Sequence, residues 1–268
     1  MSNSPWNFKG LVALGLVALG IAASAGEPQP LVSAHAHNDY LHPHPLFDAL
    51  DQGFCSVEAD IYLVDGKLLV AHERNKTRPE RTLQSLYLDR LRERIKQNGG
   101  RVYRNGPEVT LLIDLKTDWR EIYPVLRGAL KDYSDILSTF GERRQTNAVT
   151  AIISGDRSLD MFAGEQVKYA GYDGQLTELD SKEPADLIPW ISANWSGSFK
   201  WRGAGEMVAD EKSKLSDMVR RAHAHGRRLR FWGAPDNPAF WAALRDNGVD
   251  LINTDDLAGL RQFLVRGN

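Results

Sequence analysis

The chain has 268 residues, of which 42% are hydrophobic, so it is long enough to bury a sizeable core as one domain. Its formal net charge of −2 lacks the basic excess that is typical of nucleic-acid-binding proteins, and we expect no nucleic-acid partner. The single cysteine, Cys55, excludes an intrachain disulfide, and the apolar residues around it predict a buried structural thiol.

The N-terminus has the pattern of a secretory signal peptide. Lys9 lies in a short polar opening, and an apolar run from Leu11 to Ala23 leads to a small-x-small cleavage site that ends at Ala25. This run is shorter than the roughly 20 residues that a membrane-spanning helix needs. We therefore expect residues 1–25 to be a signal peptide and residues 26–268 to be exported, to the periplasm or outside the cell, with no stable membrane span. A retained N-terminal anchor is the alternative.

Eight short apolar runs predict β-strands in the rest of the chain. They are Leu31–Ala36, Phe54–Ile61, Val109–Leu115, Ala148–Ser154, Gln166–Ala170, Leu187–Ala193, Arg228–Phe231 and Val249–Asn253. A small hairpin is predicted after the second strand, because the turn pair Asp65-Gly66 stands between residues 62–64 and 67–71.

Apolar residues at three- and four-residue spacing predict helices between the strands. The stripes are Leu83, Tyr87, Leu91 and Ile95; Trp119, Ile122, Leu126, Leu130, Tyr133 and Leu137; Leu215, Val219 and Ala222; and Leu257, Leu260 and Leu264. Asp236 or Asn237 before Pro238 is typical of another helix start. Strands that alternate with helices favour a single α/β domain, a (β/α)8 TIM-type barrel with the small hairpin. An open doubly wound sheet is the alternative, although no glycine-rich phosphate loop follows the first strand.

Histidines and carboxylates lie at the ends of four predicted elements, on the side of a barrel where active sites lie. These residues, with an asparagine and a lysine, are His37, Asn38, Glu58, Asp60, His72, Asp114 and Lys116. Together they predict one site at the mouth of the barrel.

Two pairs of these residues share a strand face because their members are two positions apart. Glu58 and Asp60 would repel each other unless a proton or a cation lies between them, and Mg2+ and Ca2+ prefer oxygen ligands. Asp114 and Lys116 supply a third carboxylate and a fixed positive charge for a phosphate oxygen. A solvated strand end and a structural ion pair are the respective alternatives.

The motifs resemble the superfamily of phosphatidylinositol-specific phospholipase C (PI-PLC) and glycerophosphodiester phosphodiesterase. The matching segments are His37-Asn38-Asp39-Tyr40, similar to His-Asn-Thr-Tyr of eukaryotic phospholipase C; Glu58-Ala59-Asp60, similar to the shared Glu-x-Asp metal pair; His72-Glu73, similar to the second catalytic histidine; Asp114-Leu115-Lys116-Thr117, similar to Asp-Leu-Lys-Thr of sphingomyelinase D; and residues 248–255, similar to the closing strand of glycerophosphodiesterases. The resemblance is closest to the group named for altered inheritance of mitochondria protein 6. The His-Arg-Gly opening of glycerophosphodiesterases is absent, which leaves the substrate open.

The resemblance implies a metal-dependent phosphoric diester hydrolase that acts on a phospholipid or a glycerophosphodiester-like substrate. Glu58, Asp60 and Asp114 would hold one divalent cation, Mg2+ or Ca2+, with Asn38 as a fourth oxygen ligand. Lys116 would contact the phosphate. A neighbouring hydroxyl of the substrate is a candidate nucleophile, which would give a cyclic phosphate.

The two histidines of the set, His37 and His72, would act as general acid and general base, because imidazole titrates near neutral pH. The sequence does not assign one role to each. The oligomeric state is equally open.

Later strand ends supply candidate substrate contacts, which include several tryptophans. They are Asn194, Trp195, Trp201, Arg202, Trp232 and Asp236. An aromatic rim of this kind could hold an acyl chain or a sugar-like headgroup. Packing of the barrel loops is the alternative explanation for the tryptophans.

Two other functions compete with the phosphodiesterase. The pattern His35-x-His37 at a first strand end also opens the metal sites of amidohydrolases and of the histidinol-phosphatase-like (PHP) enzymes. Those sites need further histidines on later strands, which are scarce here, and His35 is equally well explained as a structural residue. A non-catalytic exported binding barrel is the other alternative, since a fold does not guarantee activity.

Overall fold

The computed structural model describes residue 1, residues 27–142 and residues 144–266. The predicted signal peptide, apart from Met1, lies outside the described residues. Among the helices of the described part, none is long and apolar enough to cross a membrane.

Eight parallel strands form a nearly closed barrel, and one more strand extends it as a hairpin. In chain order the strands are β1 (Leu31–Ala36), β2 (Phe54–Val64), β3 (Lys67–Val70), β4 (Val109–Leu115), β5 (Val149–Gly155), β6 (Gly171–Gly174), β7 (Trp190–Asn194), β8 (Arg228–Trp232) and β9 (Ile252–Thr254). The sheet runs β8-β7-β6-β5-β4-β2-β1-β9, and β3 pairs antiparallel with β2. A parallel bridge between Arg230 and Leu251 joins the two ends of the sheet. The predicted TIM-type barrel with its hairpin is confirmed.

Helices connect most of the strands and pack on the outside of the barrel. In chain order they are α1 (Phe47–Asp51), α2 (Asp89–Gln97), α3 (Trp119–Asp132), α4 (Trp195–Ser198), α5 (Ala209–Ala224), α6 (Pro238–Asp246) and α7 (Leu257–Arg266), with a π-helical turn at Gln84–Leu88 and 3-10 turns at Asp39–Leu41, Arg74–Lys76, Leu159–Phe162 and Leu176–Glu178. The Asn237 side chain accepts a hydrogen bond from the Phe240 N–H, and Pro238 opens α6. Asn237, not Asp236, is therefore the N-cap of this helix.

Helix α3 is shorter than its apolar stripe predicts. The helix ends at Asp132, and Tyr133 leaves the helical conformation. Leu137 keeps the apolar spacing but forms a parallel bridge with Val149 beside the start of β5. The stripe therefore continues past the helix because the following segment packs on the same core.

The sixth strand lies four to five residues after its predicted position. The predicted segment Gln166–Ala170 includes Lys168, which pairs antiparallel with Phe140 outside the barrel wall. The true strand β6 begins and ends with glycine, which sequence patterns associate with turns. A Cβ atom at Gly174 would lie 2.6 Å from the Ile191 Cδ1 atom and 3.0 Å from the Trp190 carbonyl oxygen. Close approach to β7 therefore requires glycine at this position.

The inside of the barrel has an apolar floor beneath a polar layer. Leu112, Ile152, Trp190 and Leu251 form a separate buried cluster. Because positions two apart on a strand share a face, the side chains two residues after Leu112, Ile152 and Trp190 lie above this floor. Those three positions hold polar residues, and they open into the mouth of the barrel.

Candidate active site

A cavity of about 340 Å³ lies at the carboxyl ends of the strands. The seven side chains predicted for catalysis and metal binding all line it, namely His37, Asn38, Glu58, Asp60, His72, Asp114 and Lys116. The structure thus brings together residues from β1, β2, the hairpin and β4, although their individual roles remain predictions.

Three carboxylates of this cavity form a compact cluster. Glu58, Asp60 and Asp114 each offer an oxygen within 4.8 Å of the others. Asp60 and Asp114 are paired in the register of β2 and β4, which fixes their spacing. The Asp60 Oδ1 atom is buried and has no hydrogen-bond partner among the described residues. Since a buried acceptor needs a partner, the all-oxygen cluster fits a hard divalent cation.

Lys116 already places one positive charge beside two of these carboxylates. Its Nζ atom lies 3.0 Å from Asp60 Oδ2 and 3.0 Å from Asp114 Oδ1. Burial opposes the charge of Lys116, but the two aspartates together raise its pKa. Burial raises the pKa of Asp114 to about 6 against the influence of Lys116. The ammonium group therefore stays charged at the edge of the cluster.

Glu58 is tied to two partners on the inner wall. Arg230, from β8 on the other side of the barrel, donates to Glu58 Oε2 at 2.8 Å, and His35 Nε2 lies 3.1 Å from the same oxygen. Burial would raise the pKa of Glu58, but Arg230 and His35 lower it well below its usual range. Arg230 and His35 thus favour the charged form of Glu58 on the inner wall of the cavity.

His35 is a structural histidine. It is fully buried, its Nδ1 atom lies 2.6 Å from Ser56 Oγ, and burial together with Arg230 lowers its pKa to about 3. It does not line the cavity, whereas His37 does. The two histidines of the His-x-His pattern therefore do not form a shared metal site, which counts against the amidohydrolase-like alternative.

His37 is oriented by a carboxylate from the last strand end. Its Nδ1 atom lies 2.9 Å from Asp255 Oδ1, which follows β9. Burial opposes protonation of His37, but the hydrogen bond to Asp255 and the charge of Glu58 raise its pKa. Because a carboxylate can only accept, the contact with Asp255 favours a proton on Nδ1 and leaves Nε2 to accept one. The Asn38 amide nitrogen lies 2.8 Å from the same Nδ1 atom and can donate only to its unprotonated form, so the two contacts compete for this atom.

His72 belongs to a network centred on the Tyr40 hydroxyl. This hydroxyl oxygen lies 2.6 Å from Asp60 Oδ2, 2.7 Å from Asn38 Oδ1 and 3.0 Å from His72 Nδ1. His72 Nδ1 is also 3.3 Å from Asp60 Oδ2. Tyr40 thus connects the exposed histidine to the carboxylate cluster and to Asn38. A change in the charge of the carboxylate cluster would therefore change the electrostatic potential at His72.

The predicted substrate contacts divide into two groups. Trp232 lines the cavity with 43% of its surface exposed. Asn194 lines a neighbouring groove and accepts the Gly197 N–H at the start of α4. Both are accessible to a ligand.

The other predicted contacts have structural partners outside the cavity. Trp195 is fully buried and stacks on Phe199, with ring centroids 4.2 Å apart. Trp201 stacks on Phe240, and Arg202 donates to the carbonyl of Phe199. The packing alternative holds for Trp195 and Trp201, because the segment after β7 folds back into the core.

Asp236 fixes the loop that carries Asp255. It accepts hydrogen bonds from the Thr254 hydroxyl and from the backbone N–H groups of Asp255 and Asp256. It also accepts from the Trp241 indole N–H. Asp236 is therefore saturated with structural partners and does not line the cavity.

Seven lining or supporting residues were not assigned roles from sequence, and they are Tyr40, Ser154, Arg157, Asp173, Ser192, Arg230 and Asp255. One signal was available for Arg230, since an arginine inside an apolar strand is rarely buried without a partner. Asp255 lies in a segment that already resembled the family. No comparable signal marked Asp173, because its strand was predicted four to five residues too early.

Comparisons with known proteins agree with the fold and with the superfamily that the motifs resemble. A family model described as the AIM6-like phosphodiesterase domain matches residues 27–171. A model of the glycerophosphoryl diester phosphodiesterase family matches residues 228–258. The two matches together include every side chain predicted for catalysis and metal binding, and also Asp255.

Proteins that are similar over most of this chain support the same family. Altered inheritance of mitochondria protein 6 of Eremothecium gossypii is 30% identical, over 87% of this chain and 69% of that protein. Its homolog from Arthroderma benhamiae is 27% identical, over 87% of this chain and 83% of that protein. The crystal structure of glycerophosphodiester phosphodiesterase from Agrobacterium tumefaciens has the same fold, with a TM-score of 0.51 at 15% identity, over 88% of this chain and 100% of that one. The chain therefore belongs to the AIM6-like phosphodiesterase domain family, within the superfamily of glycerophosphodiester phosphodiesterase barrels.

Proposed function

We propose that the protein is a divalent-cation-dependent phosphoric diester hydrolase that acts on a phospholipid or a glycerophosphodiester-like substrate. The observation that carries this proposal is the convergence of two histidines, three carboxylates and one lysine on a single cavity. General acid, general base and positive charge each accelerate the cleavage of a phosphodiester.

Glu58, Asp60 and Asp114 would hold the cation, and Asn38 would add a neutral oxygen ligand. The cation, Mg2+ or Ca2+, would supply positive charge to the phosphoryl oxygens as negative charge develops on them. Lys116, now 3.0 Å from both Asp60 and Asp114, would turn toward a phosphate oxygen when a cation neutralises these carboxylates.

We assign the general base to His37 and the general acid to His72. Asp255 holds the Nδ1–H of His37, which leaves Nε2 as the stronger proton acceptor. His37 would take a proton from water or from a neighbouring hydroxyl of the substrate, while the oxygen that loses this proton bonds to phosphorus. His72, which is 56% exposed at its side chain, would give a proton to the leaving oxygen as the P–O bond breaks.

A diester panel tests this function. The chain from residue 26 onward would be assayed on glycerophosphodiesters, phosphatidylinositol, sphingomyelin and bis-p-nitrophenyl phosphate, each with Mg2+, Ca2+ or EDTA. We expect turnover that is lost in EDTA and falls at least about 100-fold in His37→Ala and Glu58→Gln. His44→Ala is the matched control, because His44 is exposed and pairs only with Asp48.

Two results would contradict the proposal. Undiminished turnover in EDTA would remove the cation from the mechanism. Absence of turnover on every diester, in folded protein with cation present, would favour the non-catalytic binding barrel.

Export is part of the proposal and is tested separately. We propose that the chain is cleaved after Ala25, on the basis of the apolar run and the small residues that end it. N-terminal sequencing of the protein recovered outside the cytoplasm should begin at Gly26. A start at Met1 would instead support the retained anchor.

A further inference from the structure

The loop that follows β1 presents two side chains to the candidate active site. Asn38 lines the cavity, and the Tyr40 hydroxyl oxygen lies 2.6 Å from Asp60 Oδ2 and 3.0 Å from His72 Nδ1. We refer to residues 38–46, which end just before α1, as the β1 loop. The contacts that hold the β1 loop in place therefore also determine where Asn38 and Tyr40 lie.

Both ends of the β1 loop have a backbone conformation that L-amino acids rarely adopt. The φ angle is 48° at Asn38 and 70° at Leu46, and neither residue is glycine. For a leucine this left-handed conformation is strained, and it persists only where the surrounding structure determines it. The conformation of the β1 loop therefore depends on specific contacts.

Asp39 makes the central contacts of the β1 loop. It is fully buried, and its Oδ2 atom accepts the Leu46 N–H at 2.6 Å and the Tyr87 hydroxyl at 2.8 Å. The first bond closes the loop on itself, and the second joins it to the segment that follows the hairpin. The Asp39 Oδ1 atom is buried and has no hydrogen-bond partner among the described residues, which destabilises the folded protein. Local features that lower stability in this way are expected where the position of a loop matters for function.

Tyr87 contacts Asp39 from an irregular helical turn outside the barrel. It is 0% exposed and belongs to the π-helical turn Gln84–Leu88, directly before α2. Such turns are rare and are frequently found near functional sites. The same segment donates a second hydrogen bond to the β1 loop, from Arg81 Nη2 to the Tyr40 carbonyl oxygen at 2.6 Å. The chain between the hairpin and α2 therefore holds both the Asp39 side chain and the Tyr40 backbone.

We infer that Tyr87 and Asp39 are positioning residues for the phosphodiesterase reaction. They act through the β1 loop and fix the Tyr40 hydroxyl relative to His72. This inference rests on the proposed phosphodiesterase function and adds to it two residues that do not line the cavity. Because small displacements of catalytic groups reduce the rate by large factors, loss of the Tyr87 hydroxyl should lower turnover from a distance.

The test compares two buried tyrosines that each lose one hydroxyl group. Tyr87→Phe removes the hydrogen bond to Asp39. Tyr103→Phe removes a hydroxyl that donates to the carbonyls of Leu50 and Phe54, and none of these three residues lines the cavity. Tyr87 is 0% exposed and Tyr103 is 1% exposed, so the two substitutions are matched in burial. Both variants and the unmodified protein would be assayed on bis-p-nitrophenyl phosphate with Mg2+ and with Ca2+, and the thermal unfolding of each would be measured.

We expect Tyr87→Phe to lower kcat about 10-fold and to change KM less than about twofold, because it displaces a partner of His72 and removes no contact with the substrate. Tyr103→Phe should keep both constants. The thermal unfolding midpoint should fall by a similar amount in both variants, about 2–4 °C, since each loses one buried hydroxyl donor. A loss of kcat in only one of two equally destabilised proteins separates positioning from stability. Unchanged kcat in Tyr87→Phe, or an equal loss in Tyr103→Phe, overturns the inference.

Substitutions at Asp39 test whether Tyr87 acts through this carboxylate. Asp39→Ala removes the acceptor and should lower kcat at least as much as Tyr87→Phe. Asp39→Asn keeps an oxygen that accepts both hydrogen bonds, so it should recover most of this loss. The double variant Tyr87→Phe with Asp39→Ala should be no slower than Asp39→Ala alone, since the tyrosine hydroxyl then has no acceptor to lose. Additive losses would show that Tyr87 acts independently of Asp39 and would overturn the inference.

A protein that cleaves no diester would refute the proposed function, and the positioning of His72 would then be measured without a substrate. In 1H–15N spectra of the imidazole nitrogens at one pH, the Nδ1 resonance of His72 reports its contact with the Tyr40 hydroxyl. Tyr87→Phe should shift this resonance and leave that of the exposed His44 unchanged, and Tyr103→Phe should shift neither. An unshifted His72 resonance in Tyr87→Phe overturns the inference.

Discussion

The three carboxylates of the cavity differ in how readily they lose a proton. Glu58 is buried between His35 and Arg230 and keeps its charge, whereas burial raises the pKa of Asp60 and of Asp114. The two aspartates, and not Glu58, are thus the carboxylates that resist ionisation in the absence of a cation. Such an arrangement favours binding of positive charge beside Asp60 and Asp114.

Asp255 acts through His37, and its removal should affect turnover more than binding. In Asp255→Asn the Nδ1–H of His37 loses its charged acceptor at 2.9 Å, so the base is weaker and less well oriented. We expect kcat to fall about 100-fold on the preferred diester, with KM and the thermal unfolding midpoint little changed. Asp256→Asn is the control, because Asp256 accepts only local N–H bonds at the start of α7, which asparagine also accepts. Equal loss in both variants would mean that the loop, and not the carboxylate, matters.

Cys55 reports on the packing of β2. The thiol is 4% exposed, and burial raises its pKa to about 12 from the ordinary value of 9.0. A thiol-reactive disulfide reagent at pH 8 should therefore leave the folded protein unmodified and should label one thiol per chain after unfolding in urea. Rapid labelling of the folded protein would show that β2 is accessible.

The raised pKa of Cys55 also predicts how the contribution of this thiol to the free energy of unfolding depends on pH. The folded pKa lies above the unfolded one, so the contribution is complete below pH 9.0 and is lost as the pH rises from there to about 12. In urea unfolding, Cys55→Ala should therefore lose less stability than the unmodified protein between pH 8 and 10.

At the scale of elements, glycine sets how closely β6 approaches β7. Gly174→Ala would place a Cβ atom 2.6 Å from Ile191 Cδ1 and 2.7 Å from Ile188 Cγ2, so we expect a loss of about 1–3 kcal/mol in the free energy of unfolding. Gly128→Ala is the matched change, because Gly128 lies within α3 and a Cβ atom there meets nothing within 4 Å. It should stabilise the protein by about 0.5–1 kcal/mol, as expected for alanine in a helix. Urea unfolding of both variants measures the difference in the free energy of unfolding. Similar effects of the two substitutions would contradict the requirement for glycine at position 174.

The elements that could be predicted from sequence are those whose pattern is local. A period of two residues within a strand is enough to place Glu58 beside Asp60 and Asp114 beside Lys116. Strand β6 could not be predicted in this way, because its glycines do not form a periodic pattern. Gly174 is required by its close approach to residues of β7. Trp195 was assigned to the rim for a similar reason, since the turn of the chain into α4 after β7 depends on tertiary packing.

Contacts across the whole barrel depend on closure and were outside the reach of sequence patterns. Arg230 and Glu58 are separated by 172 residues, and His37 and Asp255 by 218. Both contacts form because β8 and β9 close the sheet against β1 and β2. Glu58 and His37 were identifiable as site residues from the sequence. Their contacts with Arg230 and Asp255 could be predicted only from the order of the strands in the barrel.

Arg230 joins opposite sides of the molecule, so its loss should destabilise the whole barrel. It is 2% exposed, donates to Glu58 at 2.8 Å and contacts Asn253 on β9 at 3.0 Å. Arg230→Met would leave the buried Glu58 carboxylate without its main partner, and we expect a loss of about 3–5 kcal/mol in the free energy of unfolding in EDTA. Because the cost arises from an uncompensated charge, the double variant Arg230→Met with Glu58→Gln should recover most of it.

Urea unfolding of the single and double variants measures this coupling. Arg220→Met is the control, since Arg220 is 70% exposed at its side chain and its ion pair with Asp217 is screened by water, so no measurable change is expected. Millimolar Mg2+ should partly restore Arg230→Met, because a cation at the carboxylate cluster would neutralise Glu58 in place of the arginine. A double variant no more stable than Arg230→Met alone would show that the arginine acts through packing, and the electrostatic tie across the barrel would then be rejected.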